Sequence, residues 1–407
     1  MPSTSNLSEN IPGNPSEIAS ANAPVNASET TSANAPVWTA IYGNAISIRE
    51  NRPESYAKDI TLRYPIHSPF SGKAIRITLD NYCGTEAVTI TRTTIRSGET
   101  FFPVTFEGKT SATIPAGERI VSDPVMMPVE AGEVCFVQLY LGDFTKMRSA
   151  VYASGPRSGG MYAMGDQSLV KDWDINISRK TNHYYFFSDA SILTEAGKHV
   201  IVCYGDSITA QDWPDYLQLR CEKEGANNTA IVRKATSGSR ILREYHNIRY
   251  ESYGLMGKNR FNHELPVDGA DTVIIQQGIN DIIHPVGTDR NPYRPWSDLP
   301  TAADMIEGLK WYIGQARLLH YNVYMGTLLP IAGWRTFADF RDELRCEVND
   351  WIRTTDLIDG CIDFDAAVRC PKEPVRFDDG CDSGDHLHPS KEGYRRMASA
   401  VPEKLLY

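Results

Sequence analysis

A serine stands directly after a short apolar run in the middle of the chain. Residues 200–204 read Val-Ile-Val-Cys-Tyr, which is typical of a buried strand, and residues 205–209 continue as Gly-Asp-Ser-Ile-Thr. In open α/β sheets, ligands bind at the carboxyl ends of the strands. A serine in that place, here Ser207, serves either as a nucleophile or as the N-cap of the next helix. The pentapeptide alone leaves both interpretations open.

Three downstream segments carry the other residue types that a serine hydrolase needs. Residues 235–240 (Ala-Thr-Ser-Gly-Ser-Arg) and 278–281 (Gly-Ile-Asn-Asp) each follow an apolar run, and residues 385–389 read Asp-His-Leu-His-Pro. Together with the serine turn, the segments resemble the four blocks of the SGNH (GDSL) hydrolase superfamily in their order. Those blocks are Gly-Asp-Ser, a glycine block, Gly-x-Asn-Asp and Asp-x-x-His. Because the first three follow predicted strands, their structural context supports the resemblance.

The residue types explain how these blocks would hydrolyse an ester. Serine is inert at neutral pH unless a base takes its proton, and a histidine such as His388 titrates in the right range. Asp385, three residues earlier, can reach the other ring nitrogen and fix the tautomer. The resemblance further implies an oxyanion hole made of the backbone N–H groups of Ser207 and Gly238 and the side-chain amide of Asn280. Each strong donor of this kind lowers the barrier by about 3 to 4 kcal/mol.

Each of these residues also has a purely structural interpretation. Gly238 can shape a turn, Asn280 and Asp281 can end a strand, and Asp385 can cap the loop before the last helix. His386 is a rival for the base, although its position does not fit the Asp-x-x-His spacing. The sequence contains no Gly-x-Ser-x-Gly elbow, which argues against the usual α/β-hydrolase alternative.

Other side chains near the blocks are expected to have supporting roles. Asp206 is expected to support the serine turn, and His284 is expected to lie in a surface loop, with pocket lining as the alternative. Trp213, Trp296 and Trp334 fall in or after loops at the active-site edge of the predicted sheet. They either form a wall that stacks on a sugar or binds an acyl group, or they anchor the packing.

Two sequence patterns divide the chain. From about residue 38 to 190, short alternating stretches such as 74–79 and 134–141 are separated by glycine turns, which predicts an all-β sandwich. After residue 197, short apolar strands alternate with helical segments, which predicts a parallel sheet covered on both faces. The main helices are predicted over residues 213–224, 301–320 and 337–355.

The resemblance to GDSL esterases extends over residues 37–407. Residues 103–108 and 122–125 resemble the N-terminal half of a microbial subgroup whose members carry a β-rich domain ahead of the hydrolase domain. We therefore predict a flavodoxin-like, doubly wound SGNH hydrolase domain over residues 198–407. A jelly-roll-like β-sandwich over residues 37–190 is predicted to precede it.

Composition limits the partners and the compartment. The 407 residues carry a net charge of −10, so no basic surplus exists to bind nucleic acid, and no run is long enough to span a membrane. Residues 1–36 contain no lysine, arginine or aromatic residue, which predicts a disordered leader. Because this segment lacks the basic and apolar regions of a secretory signal, we predict a cytoplasmic protein. Export by another route, or from a different start, remains an alternative.

The cysteines do not indicate a metal site or a disulfide framework. Eight are present, without a Cys-x-x-Cys pair. Cys361, Cys370 and Cys381 precede His386 and His388, but their spacing fits no standard zinc pattern. Neither a metal nor a cofactor is predicted.

The predicted function is a serine esterase that hydrolyses short-chain acyl esters, with O-acetyl groups on a carbohydrate as the favoured substrate. The loops between the blocks, residues 239–270 and 284–300, are rich in Arg, Asn, Tyr and Pro, and a long acyl chain would need an extended apolar groove. One alternative is an acyl hydrolase of the lysophospholipase or thioesterase type. The other is a non-catalytic glycan-binding protein on the same scaffold. The expected partner is a small-molecule or glycan ester, and the sequence does not predict the oligomeric state.

Overall fold

The computed structural model describes residues 35–49 and 55–407 of the chain. Of the predicted disordered leader, residues 1–36, the first 34 residues lie outside the described part of the chain.

The described residues before position 198 form strands and turns, with no helix among them. The strands are β1 (Val37–Gly43), β2 (Ser47–Ile48), β3 (Tyr56–Ala57), β4 (Ile60–His67), β5 (Ile75–Asp80), β6 (Val88–Ile90), β7 (Arg92–Ser97), β8 (Thr100–Val104), β9 (Ala112–Ile114), β10 (Arg119–Val121), β11 (Val134–Leu141), β12 (Thr145–Lys146), β13 (Ser149–Tyr152), β14 (Gly160–Met164), β15 (Ser178–Thr181), β16 (His183–Tyr185) and β17 (Phe187–Thr194).

Two antiparallel sheets in this half share one core. The larger has the order β15-β14-β4-β11-β7-β8, and the smaller has the order β1-β17-β5-β10. Tyr64 and Val137 from the first sheet and Ile77 and Ile192 from the second are fully buried in the same cluster. Alternating side chains of facing sheets pack in this way in a β-sandwich. The all-β prediction for this half is therefore confirmed.

The rest of the chain alternates strands with helices. Its strands and helices are β18 (His199–Gly205), α1 (Ser207–Ala210), α2 (Trp213–Glu224), β19 (Thr229–Ala235), α3 (Gly257–Glu264), β20 (Ala270–Gln276), α4 (Ile279–Ile283), α5 (Ala302–Leu318), β21 (Asn322–Gly326), α6 (Asp339–Thr354), β22 (Gly360–Ile362), α7 (Phe364–Val368) and α8 (Lys391–Ala400). Short 3₁₀ turns lie at Glu251–Tyr253, Trp296–Asp298 and Glu403–Leu405.

These strands form one parallel sheet with the order β19-β18-β20-β21-β22. This is the flavodoxin-like order. In such sheets the strand order reverses at the first strand, and ligands bind outside the carboxyl ends of the strands at that point. Ser207, Gly238 and Asn280 follow the carboxyl ends of β18, β19 and β20, which are the three strands at that point. The fold therefore confirms the predicted α/β class and gathers three of the four sequence blocks at one sheet edge.

Local signals in the sequence explain the helices that were predicted. Helix α2 has Pro214 in its first turn and ends at Gly225, whose φ of +81° suits glycine. Helix α5 begins with a reciprocal capping box between Thr301 and Asp304. Both helices lie within two residues of their predicted limits, because these caps can be read from the sequence.

The sandwich packs against the edge strand of the parallel sheet. The Ala40 N–H donates to Asp268 O at 2.9 Å, and the buried Lys234 ammonium on β19 donates to Asn44 O at 2.9 Å and to Asp189 at 2.6 Å. The chain crosses from β17 to β18 within five residues, and residues 36–407 form one compact unit. The domain limits 37–190 and 198–407 therefore stay predictions.

Candidate active site

The serine turn is built by a glycine and a carboxylate. Ser207 is the first residue of α1, and Asp206 is its N-cap, with Oδ1 accepting from the Ile208 N–H at 3.0 Å. A side chain at Gly205 would collide with Gln276 O on the neighbouring strand, so the close approach of the two strands requires glycine there. The N-cap role thus falls to Asp206, and the Ser207 hydroxyl is left for other partners.

Ser207, His388 and Asp385 form one hydrogen-bonded chain. Ser207 Oγ lies 2.8 Å from His388 Nε2, and His388 Nδ1 lies 2.7 Å from Asp385 Oδ2. Ser207 and His388 are 181 residues apart in the sequence, whereas Asp385 and His388 are three residues apart. This is the geometry of a nucleophile, a base and an orienting carboxylate.

The surroundings of Asp385 keep its carboxylate ionised. Burial raises its pKa, but hydrogen bonds outweigh that effect: His388 donates from its ring and from its backbone N–H at 2.8 Å, and the Leu387 N–H donates at 2.9 Å. The net result is a pKa held well below the usual range. An ionised Asp385 fixes the proton on Nδ1 of His388 and leaves Nε2 free to accept from Ser207.

His386, the rival base, has a different partner. Its Nδ1 lies 2.5 Å from Asp382 Oδ2, and the side chain is half-exposed. The chain at His386 has a φ of +63°, which turns successive side chains of this loop in different directions. The structure therefore brings His388, and not His386, to Ser207.

Gly238 lies in the loop after β19, and Asn280 lies at the start of α4, after β20. Gly238 has a φ of +81°, and a Cβ at this position would clash with the ring of Tyr253. Asn280 is in the first turn of α4, and its Nδ2 donates to Ser239 O at 3.1 Å. This bond uses one of the two amide hydrogens and fixes the orientation of the amide. The glycine block and the Asn280 side chain are thus tied to each other.

Asp281 makes a second connection between these loops. Its carboxylate accepts from the backbone N–H groups of Ile241 at 2.8 Å and Leu242 at 3.0 Å. Burial raises the pKa of Asp281 to about 6, although the two backbone hydrogen bonds lower it. The carboxylate positions the segment after Gly238 relative to α4. The structural interpretation from the sequence, in which Asp281 only ends a strand, does not include this role.

Arg260 is a functional candidate that sequence reasoning missed. It lies on α3 with a side chain that is 1% exposed, forms an ion pair with Glu264, and donates to Gly205 O at 2.6 Å. It also reaches Ser239 Oγ at 3.3 Å, and its guanidinium stacks over Tyr204 at 4.2 Å. One buried arginine therefore contacts both the serine turn and the glycine block.

The structure corrects the expectation for His284. This residue is 6% exposed, and its ring stacks on Tyr253 with centroids 4.9 Å apart. Burial lowers its pKa well below the usual value, and nearby arginines, Arg294 first, lower it further. His284 is thus a neutral packing partner of the tyrosine that covers Gly238, and not a surface loop residue.

The three tryptophans have different environments. Trp213 is fully buried and packs against Phe364 at 5.2 Å, so it anchors the core. Trp296 is 49% exposed and contacts Phe340, while Trp334 is half-buried beneath Arg335. The sugar-stacking interpretation is therefore wrong for Trp213.

The ionisation of Asp206 makes stability depend on pH. Burial raises its pKa to about 7, although the hydrogen bond from Ile208 lowers it. Because the unfolded carboxyl titrates near about 3.9, the folded state binds this proton more tightly, and the free energy of unfolding falls as pH rises from about 4 to 7.

Asp206→Asn is expected to remove this dependence while keeping an acceptor for Ile208. The free energy of unfolding of Asp206→Asn should rise relative to that of wild type across that range, by at most about 1.4 kcal/mol per pH unit, and the difference should then level off. Urea unfolding at pH 5, 6, 7 and 8 measures it. Asp143→Asn, at an 88% exposed side chain, is the control and should follow wild type. Parallel curves for Asp206→Asn and wild type would contradict the assignment.

The described residues contain no group of three or more His, Cys, Asp or Glu side chains placed to hold a metal ion. No described helix is long and apolar enough to cross a membrane.

The model of the GDSL-like lipase/acylhydrolase family matches residues 203–396, a segment that contains all five predicted site residues. No curated protein matches the chain. A lipolytic protein of the G-D-S-L family from Veillonella parvula is 19% identical, with a TM-score of 0.34, and the match covers 50% of this chain and 96% of that one. A GDSL-like lipase from Bacteroides thetaiotaomicron is 15% identical, with a TM-score of 0.35, and the match covers 51% of this chain and 87% of that one. An acetylxylan esterase from Geobacillus stearothermophilus is 17% identical, with a TM-score of 0.37, and the match covers 51% of this chain and 94% of that one.

Proposed function

We propose that this chain, whose residues 203–396 match the model of the GDSL-like lipase/acylhydrolase family, is a carboxylic ester hydrolase that removes short acyl groups from a polar alcohol. O-acetyl groups on carbohydrates are the proposed substrate class. The observation that carries the proposal is the chain of hydrogen bonds from Ser207 through His388 to Asp385 at the carboxyl end of β18. The family match predicted from the four sequence blocks is confirmed.

The proposed reaction has two steps. His388 Nε2 takes the proton of Ser207 Oγ as the oxygen attacks the ester carbonyl carbon, and the resulting imidazolium is stabilised by Asp385. When the tetrahedral intermediate collapses, the carbon–oxygen bond to the alcohol breaks and His388 gives its proton to the leaving oxygen. Water then attacks the acyl-enzyme, with His388 again as the base, and releases the acid and free Ser207.

The oxyanion of each intermediate needs donors that are already in place. We assign this role to the backbone N–H groups of Ser207 and Gly238 and to the second amide hydrogen of Asn280. The bond from Asn280 to Ser239 O supports the assignment, because it holds the amide without using both hydrogens. Asp281 and Arg260 support it too, since they hold the segments that carry these donors.

The loops around the site favour a short acyl group. Arg240 stacks over Tyr245 at 4.3 Å, and Arg294 stacks over Tyr250 at 4.6 Å and Tyr253 at 5.8 Å. A long acyl chain needs an extended apolar groove, and charged side chains that pack between tyrosines do not provide one. A short acyl group on a polar alcohol fits such loops better.

Hydrolysis of p-nitrophenyl acetate, butyrate and octanoate tests the proposal, with Ser207→Ala protein as the background control. We expect kcat/KM to be highest for acetate and to fall with chain length, and we expect acetate release from acetylated sugars. Preference for octanoate would favour the lysophospholipase or thioesterase alternative. Absence of activity on every ester, with a folded protein, would favour a glycan-binding role.

Asn280→Ala tests the oxyanion assignment. We expect kcat on p-nitrophenyl acetate to fall by about 10²- to 10³-fold with little change in KM, because the lost donor acts mainly on the charged intermediate. Steady-state kinetics measures the split, and circular dichroism verifies that the variant is folded. A rise in KM at unchanged kcat would instead assign Asn280 to substrate binding.

A further inference from the structure

A cavity of about 230 Å³ lies beside the glycine block, and the β-sandwich forms much of its wall. Strands β2, β13 and β16 make one three-stranded sheet, and residues from all three line the cavity. The opposite wall is formed by residues 236–237 and 252–253 of the hydrolase half. The cavity is therefore shared by the two halves of the chain.

Two buried hydroxyls in this wall lack a partner. Ser47 is 5% exposed and Thr236 is 2% exposed, and neither hydroxyl makes a hydrogen bond within the part of the chain that the structure describes. The Ser47 hydroxyl and the Thr236 methyl group converge at Gly254, where an added Cβ would lie 2.6 Å from each of them. Buried hydroxyls in native proteins are nearly always paired. Both oxygens are closed off from water, so a ligand in the cavity would reach them only after a small shift of neighbouring side chains.

Two tyrosines add apolar faces to the same cavity. Tyr152 on β13 is 38% exposed, and its ring lies edge-on to His183 at 5.7 Å. Tyr253, on the opposite wall, stacks on His284. A sugar ring presents both C–H faces and hydroxyls, and a partly exposed tyrosine offers an apolar ring with a polar tip.

None of the proposed catalytic residues lines the cavity, but two parts of its wall adjoin the segments that carry them. Ser237 in its wall directly precedes Gly238, and the Tyr253 ring covers Gly238. Two residues after Tyr152, the Ser154 N–H donates to Ala210 O at 3.1 Å, at the end of the helix that Ser207 begins. A ligand in the cavity would thus lie next to the segments that hold the nucleophile and the proposed oxyanion donors.

We propose that this cavity is the subsite for the alcohol part of the ester and that the alcohol is a carbohydrate. The inference rests on the proposed function and adds the site at which the sugar binds. An acyl subsite would be lined mainly by apolar side chains, whereas this wall carries hydroxyls, tyrosines and Arg49. The β-sandwich then serves as a part of the substrate site.

Two variants test the subsite in the full-length enzyme. Tyr152→Ala removes a ring, and Ile48→Trp fills space from the half-buried end of β2. The probes are glucose pentaacetate, peracetylated xylose and p-nitrophenyl acetate. We expect each variant to lower kcat/KM for the acetylated sugars by about five- to tenfold, mainly through KM, and to change kcat/KM for p-nitrophenyl acetate by less than about twofold. Tyr162→Ala, on β14 outside the cavity and also 38% exposed, is the matched control and should change neither value.

Each other outcome overturns the inference in a distinguishable way. If wild type releases acetate from the sugars and neither variant affects this, the subsite is wrong while the proposed function stands. If the variants instead change the preference among p-nitrophenyl acetate, butyrate and octanoate, the cavity binds the acyl group. If wild type hydrolyses p-nitrophenyl acetate but no acetylated sugar, the proposed substrate class fails, and the subsite fails with it.

Discussion

Ser207→Ala is expected to lower kcat on p-nitrophenyl acetate by about 10⁴- to 10⁶-fold, and His388→Ala by a similar factor. The two residues act as one unit, because the hydroxyl attacks only when the imidazole 2.8 Å away accepts its proton. The double variant should therefore be no slower than either single variant. Continuous release of p-nitrophenol, corrected for the uncatalysed rate, measures all three.

His386→Ala supplies the control for this prediction. His386 lies two positions before His388 and pairs with Asp382, so its loss should change kcat by less than about threefold. The opposite result, an inactive His386→Ala and an active His388→Ala, would exchange the roles of the two histidines. Losses that multiply in the double variant would show that Ser207 and His388 act independently.

Arg260→Ala is expected to lower the free energy of unfolding by about 3–5 kcal/mol, because it leaves Glu264 charged, buried and unpaired. The Arg260 and Glu264 side chains are 1% and 2% exposed, so water cannot replace the lost partner without opening the fold. Urea unfolding at pH 7 measures the change as a lower midpoint. Arg353→Ala, at a side chain that is 26% exposed and paired with Asp363 and Asp365, should cost less and is the comparison.

A second variant separates stability from positioning. Arg260→Met combined with Glu264→Leu removes both charges at similar volume, and we expect the unfolding midpoint to return close to wild type. The donor to Gly205 O is still missing, so kcat should stay about 10- to 100-fold low while KM is little changed. If activity returns together with stability, Arg260 contributes to folding alone and does not position the serine turn.

The sequence was sufficient where local rules decide the structure. Strand β11 and helix α2 have the limits that alternation, Pro214 and Gly225 predict. The first three blocks follow strands whose carboxyl ends must meet at one edge of a parallel sheet, so the proximity of Ser207 to Gly238 and Asn280 follows from the fold class. The spacing of Asp385 and His388 is local and could be read directly.

The sequence was insufficient where burial depends on distant partners. Helix α3 escaped prediction because its eight residues, Gly-Lys-Asn-Arg-Phe-Asn-His-Glu, show no apolar periodicity. Arg260 and His284 look like surface residues until Tyr204, Tyr253 and neighbouring loops cover them. The cavity beside Gly238 needs strands that lie about 50 to 190 residues away, and no window of the sequence records that contact.

The Lys234 ammonium, which donates to Asn44 O, Ser188 O and Asp189, has a consequence for how this enzyme can be divided. All three acceptors belong to the half of the chain before residue 198. A hydrolase half cut free at that point would present a lone cation on an otherwise apolar strand face, where Val232 and Ala230 lose their cover as well. The sandwich is thus not a detachable accessory, and grafting either half onto another enzyme would require a redesigned surface for β19.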